Sequence, residues 1–306
     1  MAIPIPDAFA QFIVQLHGEK GRDWLARLPE ILATCAEQWQ LTYGAPFGNL
    51  SYHFVIPATR ADGMPVVVKA CSPTGENLQE AEALRIFAGH GMVPLLAWDA
   101  ANEVMLLQRL MPGISLRHMA DDETATRIAA GVMRQLWPPV PEIHPFPTVD
   151  DWFAAFARLR AHHNGGTGGM PEDLVRLAEE LYPQLAATAA APVVLHGDLH
   201  HDNILSAGDG VWRGIDPHGV IGEPAYETGS WLRNWLPDLL HLPDPAATLS
   251  RRITIFAEEL GMDAARIRDW AIYQAVLSAA WTVEDEHTIP IDMLKCIQFL
   301  RQTQVS

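Results

Sequence analysis

What this chain has little of already narrows what it can be. Its 306 residues include three cysteines, Cys35, Cys71 and Cys296, isolated and odd in number. They form neither a CxxC pair nor a disulfide framework, so a reducing compartment is expected. Positive charge is scarce: 21 Lys+Arg stand against 37 Asp+Glu, a formal net charge of −16. Such a surface repels nucleic acid and anionic membranes and favours cationic ligands, although acidity also serves solubility. Long apolar runs are missing too. No segment reaches the roughly eighteen residues of a membrane span, and MAIPIPDAFAQFIVQLHGEK lacks the basic head and apolar stretch of a leader. The expectation is a cytoplasmic protein with no membrane, nucleic-acid or obligate protein partner. With 49% apolar residues it can bury one sizeable core or two smaller ones.

Chemistry concentrates between Val193 and Glu227. Val193-Val194-Leu195 leads into His196-Gly197-Asp198-Leu199-His200-His201-Asp202-Asn203, followed by Ile204-Leu205 and turn residues Gly208-Asp209-Gly210. A second run, Val211 to Ile215, ends on Asp216, and Pro217 and Gly219 stop the strand. Two carboxylates and an amide are expected to be aimed out of one compact sheet. Phosphoryl transfer needs such a set: a carboxylate that orients an attacking hydroxyl and takes its proton, and oxygen ligands that hold Mg²⁺ against nucleotide phosphates. Asp198 and Asn203 have the D-x-x-x-x-N spacing of base and metal amide, and Asp216 supplies the second metal oxygen. His196, His200 and His201 could instead gather a zinc ion, but no second ligand group stands at a familiar spacing. His196 reads as support for the loop backbone, His200 and His201 as fillers that contact substrate or nothing, and Asp202 as a solvated acid.

HGDLHHDN with its downstream IDP resembles the aminoglycoside phosphotransferase family. The opening WLARLPEIL, the stretch LSYHFVIPATRADGMPVVVKA and the late LSAAWTVEDE are similar to the streptomycin 6-kinases and the hydroxyurea kinases grouped with them. The likeness runs from about Trp24 to Trp281. It implies an α+β, two-lobed protein-kinase-like fold, with a small sheet-containing N-lobe and helical preface over 1–109 and a larger, mostly helical C-lobe over 110–306. It implies a kinase using ATP and Mg²⁺ on a small cationic or polyhydroxyl substrate, streptomycin at its 6-hydroxyl first. Hydroxyurea, a sugar-like alcohol, or a catalytically silent nucleotide-binding module are the alternatives; the last is disfavoured because base and both metal ligands are present. Asp198 would orient the hydroxyl, Asn203 and Asp216 would hold Mg²⁺, and Lys69 would hold the nucleotide. Streptomycin bears guanidinium groups, which favour carboxylates, so Asp151, Glu223, Glu227, Glu284 and Asp285 are candidate substrate partners.

The remaining patterns fit that frame. Apolar spacing from Arg22 to Trp39 predicts a helix that Pro29 should kink or split. Asp62-Gly63 signals a hairpin before Met64-Pro-Val-Val-Val-Lys69. In a kinase-like lobe this hairpin covers the nucleotide, with Lys69 on its phosphates and the backbone amides near Asn49 to Ser51 as further donors. Residues 75–87 read as an acidic-headed helix; Glu80 is the expected partner of Lys69, with Glu76 and Glu82 as alternatives. Runs 94–98 and 104–110 suggest another hairpin, whose backbone from Gln108 to Leu110 would meet the adenine edge. Helices follow over 115–137, 149–163 (capped by Asp150 or Asp151), 174–185, 253–260 and 267–281. Asn164 to Gly169 reads as a connector, not a phosphate cradle. Trp231, Leu232 and Trp235 are expected to share a buried helical face.

Overall fold

The structure, a computed structural model, describes residues 3–75 and 77–304. It divides into two units, one running to Gly113 and one beginning at Ile114. Glu76 lies outside the described residues, so that alternative partner of Lys69 is not placed.

The first unit opens with α1 (Asp7–Trp39), longer than its apolar spacing suggested. Pro29 lies inside this helix and does not break it; the non-helical residue is Gly18, at φ 58° and ψ −127°. That conformation is open to glycine. Burial of Leu28, Ile31, Leu32 and Cys35 around the proline offsets its lost hydrogen bond. Gly21 lets the two halves of α1 approach, since a Cβ there would stand 2.5 Å from the Ile13 carbonyl oxygen. Then come β1 (Leu41–Tyr43), β2 (Phe54–Arg60), β3 (Pro65–Ala70), α2 (Asn77–Phe87), β4 (Leu95–Asp99) and β5 (Val104–Gln108). They build one antiparallel sheet ordered β1-β2-β3-β5-β4. The β2–β3 turn is closed by Asp62, whose carboxylate accepts from the Met64 N–H at 3.0 Å. Phe54, Ile56, Val66, Val68, Val104 and Leu106 form the sheet's core with Phe9, Ile13 and Leu28 of α1.

The second unit is mostly helical. A 3₁₀ turn at Leu116–His118 precedes α3 (Asp122–Met133), so the single helix expected over 115–137 is two elements. Next are α4 (Val149–His162) and α5 (Glu172–Ala187). The cap of α4 is Thr148, not Asp150 or Asp151: its side chain accepts from the Asp151 N–H, and Asp151 reaches back to the Thr148 N–H in a capping box. Four short strands follow, β6 (Val193–Leu195), β7 (Ile204–Ser206), β8 (Trp212–Gly214) and β9 (Val220–Gly222). They form two separate ladders, β6 with β9 and β7 with β8, so the single compact sheet expected here is corrected. The unit closes with α6 (Pro224–Leu232), α7 (Pro245–Leu260), α8 (Ala264–Glu286) and α9 (Ile291–Gln302). Trp231 and Leu232 are buried, whereas Trp235 lies beyond the end of α6 and is only partly buried. Helix α8 is buried on nearly every side and packs against α4, α5, α6, α7 and α9. Among the described residues no helix is long and apolar enough to cross a membrane.

Candidate active site

In the first unit, strand β3 carries Lys69 inward and α2 carries Glu80 to meet it. Lys69 Nζ donates to both Glu80 oxygens, at 2.6 and 2.7 Å, and only 3% of Lys69 is exposed. A buried ammonium demands such a partner. Glu82 is engaged elsewhere, with Arg85 one turn on, which lowers its pKa. Asn49 and Ser51 lie in an exposed loop before β2. At the end of β5, the Gln108 N–H is taken by the Pro94 carbonyl and the Arg109 N–H by the Pro65 carbonyl. Those two donors therefore do not read an adenine edge, which narrows the expectation for 108–110 to Leu110 and carbonyl groups.

In the second unit, β6 delivers the chain to a tightly tied loop. Gly197, at φ +87°, has no room for a side chain: a Cβ would stand 3.0 Å from Val220 and 3.2 Å from the Trp152 ring. Asn203 links the chemical groups. Its side-chain amide donates to the Asp198 carbonyl at 3.0 Å, and its own carbonyl accepts from the Ile215 N–H at 2.9 Å, immediately before Asp216. Asp216 follows β8 by two residues and is exposed, held at φ +56°. This left-handed backbone is uncommon outside glycine, and Asp is among the residues that tolerate it. Asn203 thus ties the backbone of Asp198 to Ile215, the neighbour of Asp216, through short loops at the ends of two ladders.

Asp198 is partly buried, and its Oδ1 accepts from Arg233 Nη2 at 2.7 Å. Burial alone would raise its pKa; the Arg233 guanidinium, aided by His200 and His218, outweighs burial and holds it well below the usual carboxylate range. His196 is fully buried. Its Nδ1 accepts from the Asp198 N–H and its Nε2 faces the Ile215 carbonyl at 2.8 Å, an arrangement for a neutral ring, and burial lowers its pKa to about 4. His200 caps the 3₁₀ turn, its Nδ1 accepting from the Asp202 N–H, and its Nε2 faces Asp198 Oδ2 at 3.4 Å. His201 is buried flat against Trp231, ring centroids 3.6 Å apart, so of the two expectations for it the one without substrate contact fits. Asp202 pairs with Arg117 at 3.2 Å. With these separate duties the three histidines do not build a zinc site.

The five acids expected to meet a cationic substrate are placed less favourably. Glu227 is fully buried under the loop, where its two oxygens accept from the N–H groups of His196 (2.7 Å) and Gly197 (3.0 Å). Glu223 is buried against Arg266 and the Trp270 indole. Both are structural, which corrects their reading as substrate partners. Asp151 is spent in the α4 capping box, and Glu284 pairs with Arg158 at 2.9 Å. Asp285 remains exposed near the end of α8. One turn before it, Trp281 meets Trp152 edge-on with centroids 5.4 Å apart; both residues are partly exposed, and the Trp152 ring lies against Gly197.

Comparison with known proteins gives this geometry its family. Residues 39–286 match the family described as aminoglycoside/hydroxyurea antibiotic resistance kinase. The chain belongs to that family. The kinase is 30% identical to a streptomycin 6-kinase of Streptomyces glaucescens over 92% of both chains. It is 29% identical to a hydroxyurea phosphotransferase of Kitasatospora aureofaciens, across 92% of this chain and 81% of that one. A thermostable aminoglycoside phosphotransferase solved with ADP and hygromycin B covers 90% of the kinase, and 99% of that chain is matched, with TM-score 0.61 at 15% identity, which shows the shared fold. The kinase is an ATP-dependent phosphotransferase acting on a hydroxyl.

Proposed function

We propose that this kinase transfers the ATP γ-phosphate to a hydroxyl of an aminoglycoside-type antibiotic, with streptomycin at its 6-hydroxyl the first acceptor to test. The observation that supports the reading most is the Asn203 link, which ties the backbone of Asp198 to Ile215, the residue before Asp216. Asp198, kept ionised by Arg233, accepts the hydrogen bond of the acceptor hydroxyl, orients it and takes its proton as the new P–O bond forms.

The donor set suits Mg²⁺. With the Asn203 amide nitrogen turned to the Asp198 carbonyl, its oxygen is left as a hard ligand, and the exposed Asp216 carboxylate is a second. Mg²⁺ characteristically takes one or two protein oxygens and completes its shell with water and phosphate. When bound it neutralises phosphate charge. In the first unit, Lys69, fixed by Glu80, holds the nucleotide phosphates, with backbone amides near Asn49 and Ser51 as further donors and Leu110 toward the base.

For acceptor recognition, Asp285 and the Trp152–Trp281 corner replace the buried glutamates; a guanidinium is attracted to an aromatic face as well as to a carboxylate. The 29% identity to a hydroxyurea phosphotransferase favours a second reading, phosphorylation of hydroxyurea or another small alcohol. A thermal-shift panel with Mg-ATP, followed by ADP release with streptomycin, other aminocyclitols and hydroxyurea, separates them. Release with streptomycin is expected; nucleotide stabilisation without release for any acceptor would leave only a silent nucleotide-binding module.

A further inference from the structure

One stripe of α6 grips the catalytic loop at successive residues. Glu227, Ser230 and Arg233 are spaced by three, so they lie on neighbouring turns of one helical face; Arg233 still has helical φ/ψ and its N–H reaches the Gly229 carbonyl. Glu227 takes the His196 and Gly197 N–H groups, Ser230 Oγ lies 3.4 Å from the Gly197 carbonyl oxygen, and Arg233 Nη2 takes Asp198 Oδ1 at 2.7 Å. Backbone donor, backbone acceptor and reactive side chain are thus all referenced to one rigid element.

Arg233 differs from the arginines that staple this unit. Arg252, fully buried, uses Nε and Nη2 on Asp122 and Nη1 on the Asn234 carbonyl. Arg266 likewise spends Nε, Nη1 and Nη2 on Glu223, Thr188 and the Leu185 carbonyl. Arg233 uses Nη2 alone, on Asp198 and Ser230, while its buried Nε has no hydrogen-bond partner among the described residues. A guanidinium placed for scaffolding would satisfy its donors; this one is arranged around a single carboxylate oxygen. Arg252 in turn fixes the carbonyl of the next residue, Asn234, so the guanidinium is anchored from behind.

We infer that Arg233 is a positioning residue for phosphoryl transfer: it locks the Asp198 carboxylate in one orientation by occupying Oδ1, so that Oδ2, which faces His200 Nε2 at 3.4 Å, is the oxygen presented to the acceptor hydroxyl. This rests on the kinase reading of Asp198, and it is specific to the orientation of that group. Displacing a reacting group by about 1 Å costs on the order of a hundredfold in rate.

The test uses the full chain carrying Arg233→Met, Arg233→Lys and Arg233→Gly. The methionine variant should lose about a hundredfold in kcat with the nucleotide KM within about twofold, because the guanidinium meets Asp198 and not the nucleotide. Lysine keeps the charge without the planar fork and should recover only part of the rate. Added guanidinium should restore Arg233→Gly, which leaves space for it, but not Arg233→Met. A crystal structure of Arg233→Lys and Arg233→Met without substrate supplies an arm independent of the acceptor: Asp198 should rotate away or spread over several rotamers. Asp198 unmoved in those structures, or unchanged kcat, overturns the inference. Absence of ADP release from the wild type with every acceptor would sink the proposed function, while the Asp198 rotamer still decides the role of Arg233.

Discussion

Replacing Glu227 by glutamine should change the pH dependence of stability in a direction the burial of this group dictates. Desolvation of the fully buried carboxyl outweighs the two N–H donors and, with Asp198 adding repulsion, raises its pKa from 4.5 to about 7. An acid whose folded pKa is raised contributes stability that is full below its unfolded pKa and is lost as pH rises through the folded value. Each pH unit is worth about 1.4 kcal/mol, so across that window the loss builds to roughly 3 kcal/mol. His196 works oppositely: its pKa is depressed from 6.5 to about 4, so its contribution is present above the upper value and lost as pH falls toward the lower. The two slopes partly cancel in the wild type. In Glu227→Gln the amide oxygen keeps one N–H while the amide NH₂ faces the other, a pH-independent penalty of roughly 1–3 kcal/mol. The variant should therefore be the less stable protein at about pH 5, and the difference should move in its favour by roughly 3 kcal/mol by about pH 8. Denaturant unfolding followed by tryptophan fluorescence at a series of pH values reads this directly. A difference between variant and wild type that stays constant across the series would refute the reasoning.

Other consequences can be checked alongside. Asp198→Asn should lower kcat by orders of magnitude in an ADP-release assay while calorimetric nucleotide affinity stays largely intact, because the proposed role of Asp198 is toward the acceptor and not the nucleotide. Arg252→Met strips the buried partner from Asp122 and the Asn234 carbonyl; the loss of about 3–5 kcal/mol should lower Tm by roughly 10 °C in calorimetry. Lys69→Met leaves Glu80 without its ammonium and should raise the nucleotide KM, whereas the KM of the acceptor should hardly move. The KM of a cationic acceptor should rise with added salt, since a net charge of −16 attracts it over a range that salt screens.

The position of the candidate loop between two strands was legible in the sequence because apolar triplets and glycines bracket it, and its proposed function rests on residue types at fixed spacing. Lys69 and Glu80 were legible for a related reason: a lysine ending a valine-rich strand and an acid on the inward face of the next helix leave few pairings. The structural role of Glu227 was not. A buried glutamate under a loop and an exposed one near a cation are the same letter, and only the fold of α6 beneath Gly197 distinguishes them. Arg233 escaped for the same reason, since its partner is thirty-five positions away in the chain. Local competition blurred the α4 cap: Thr148, Asp150 and Asp151 all have capping side chains, and the hydroxyl accepts the N–H while Asp151 completes the box. In α1, the expectation of a kink at Pro29 weighed a lost hydrogen bond without the burial that compensates it, and the real discontinuity fell at Gly18.

The central claim is that Asn203 and Asp216 bind one nucleotide-associated cation beside Asp198. Anomalous diffraction from crystals grown with Mn²⁺ in place of Mg²⁺ and a non-hydrolysable ATP analogue locates that cation without ambiguity. A single strong peak within about 2.3 Å of both an Asn203 and an Asp216 oxygen, and in contact with the phosphates, is the expected result. A peak held by the histidines of the loop, or one near the phosphates that touches neither residue, would contradict it.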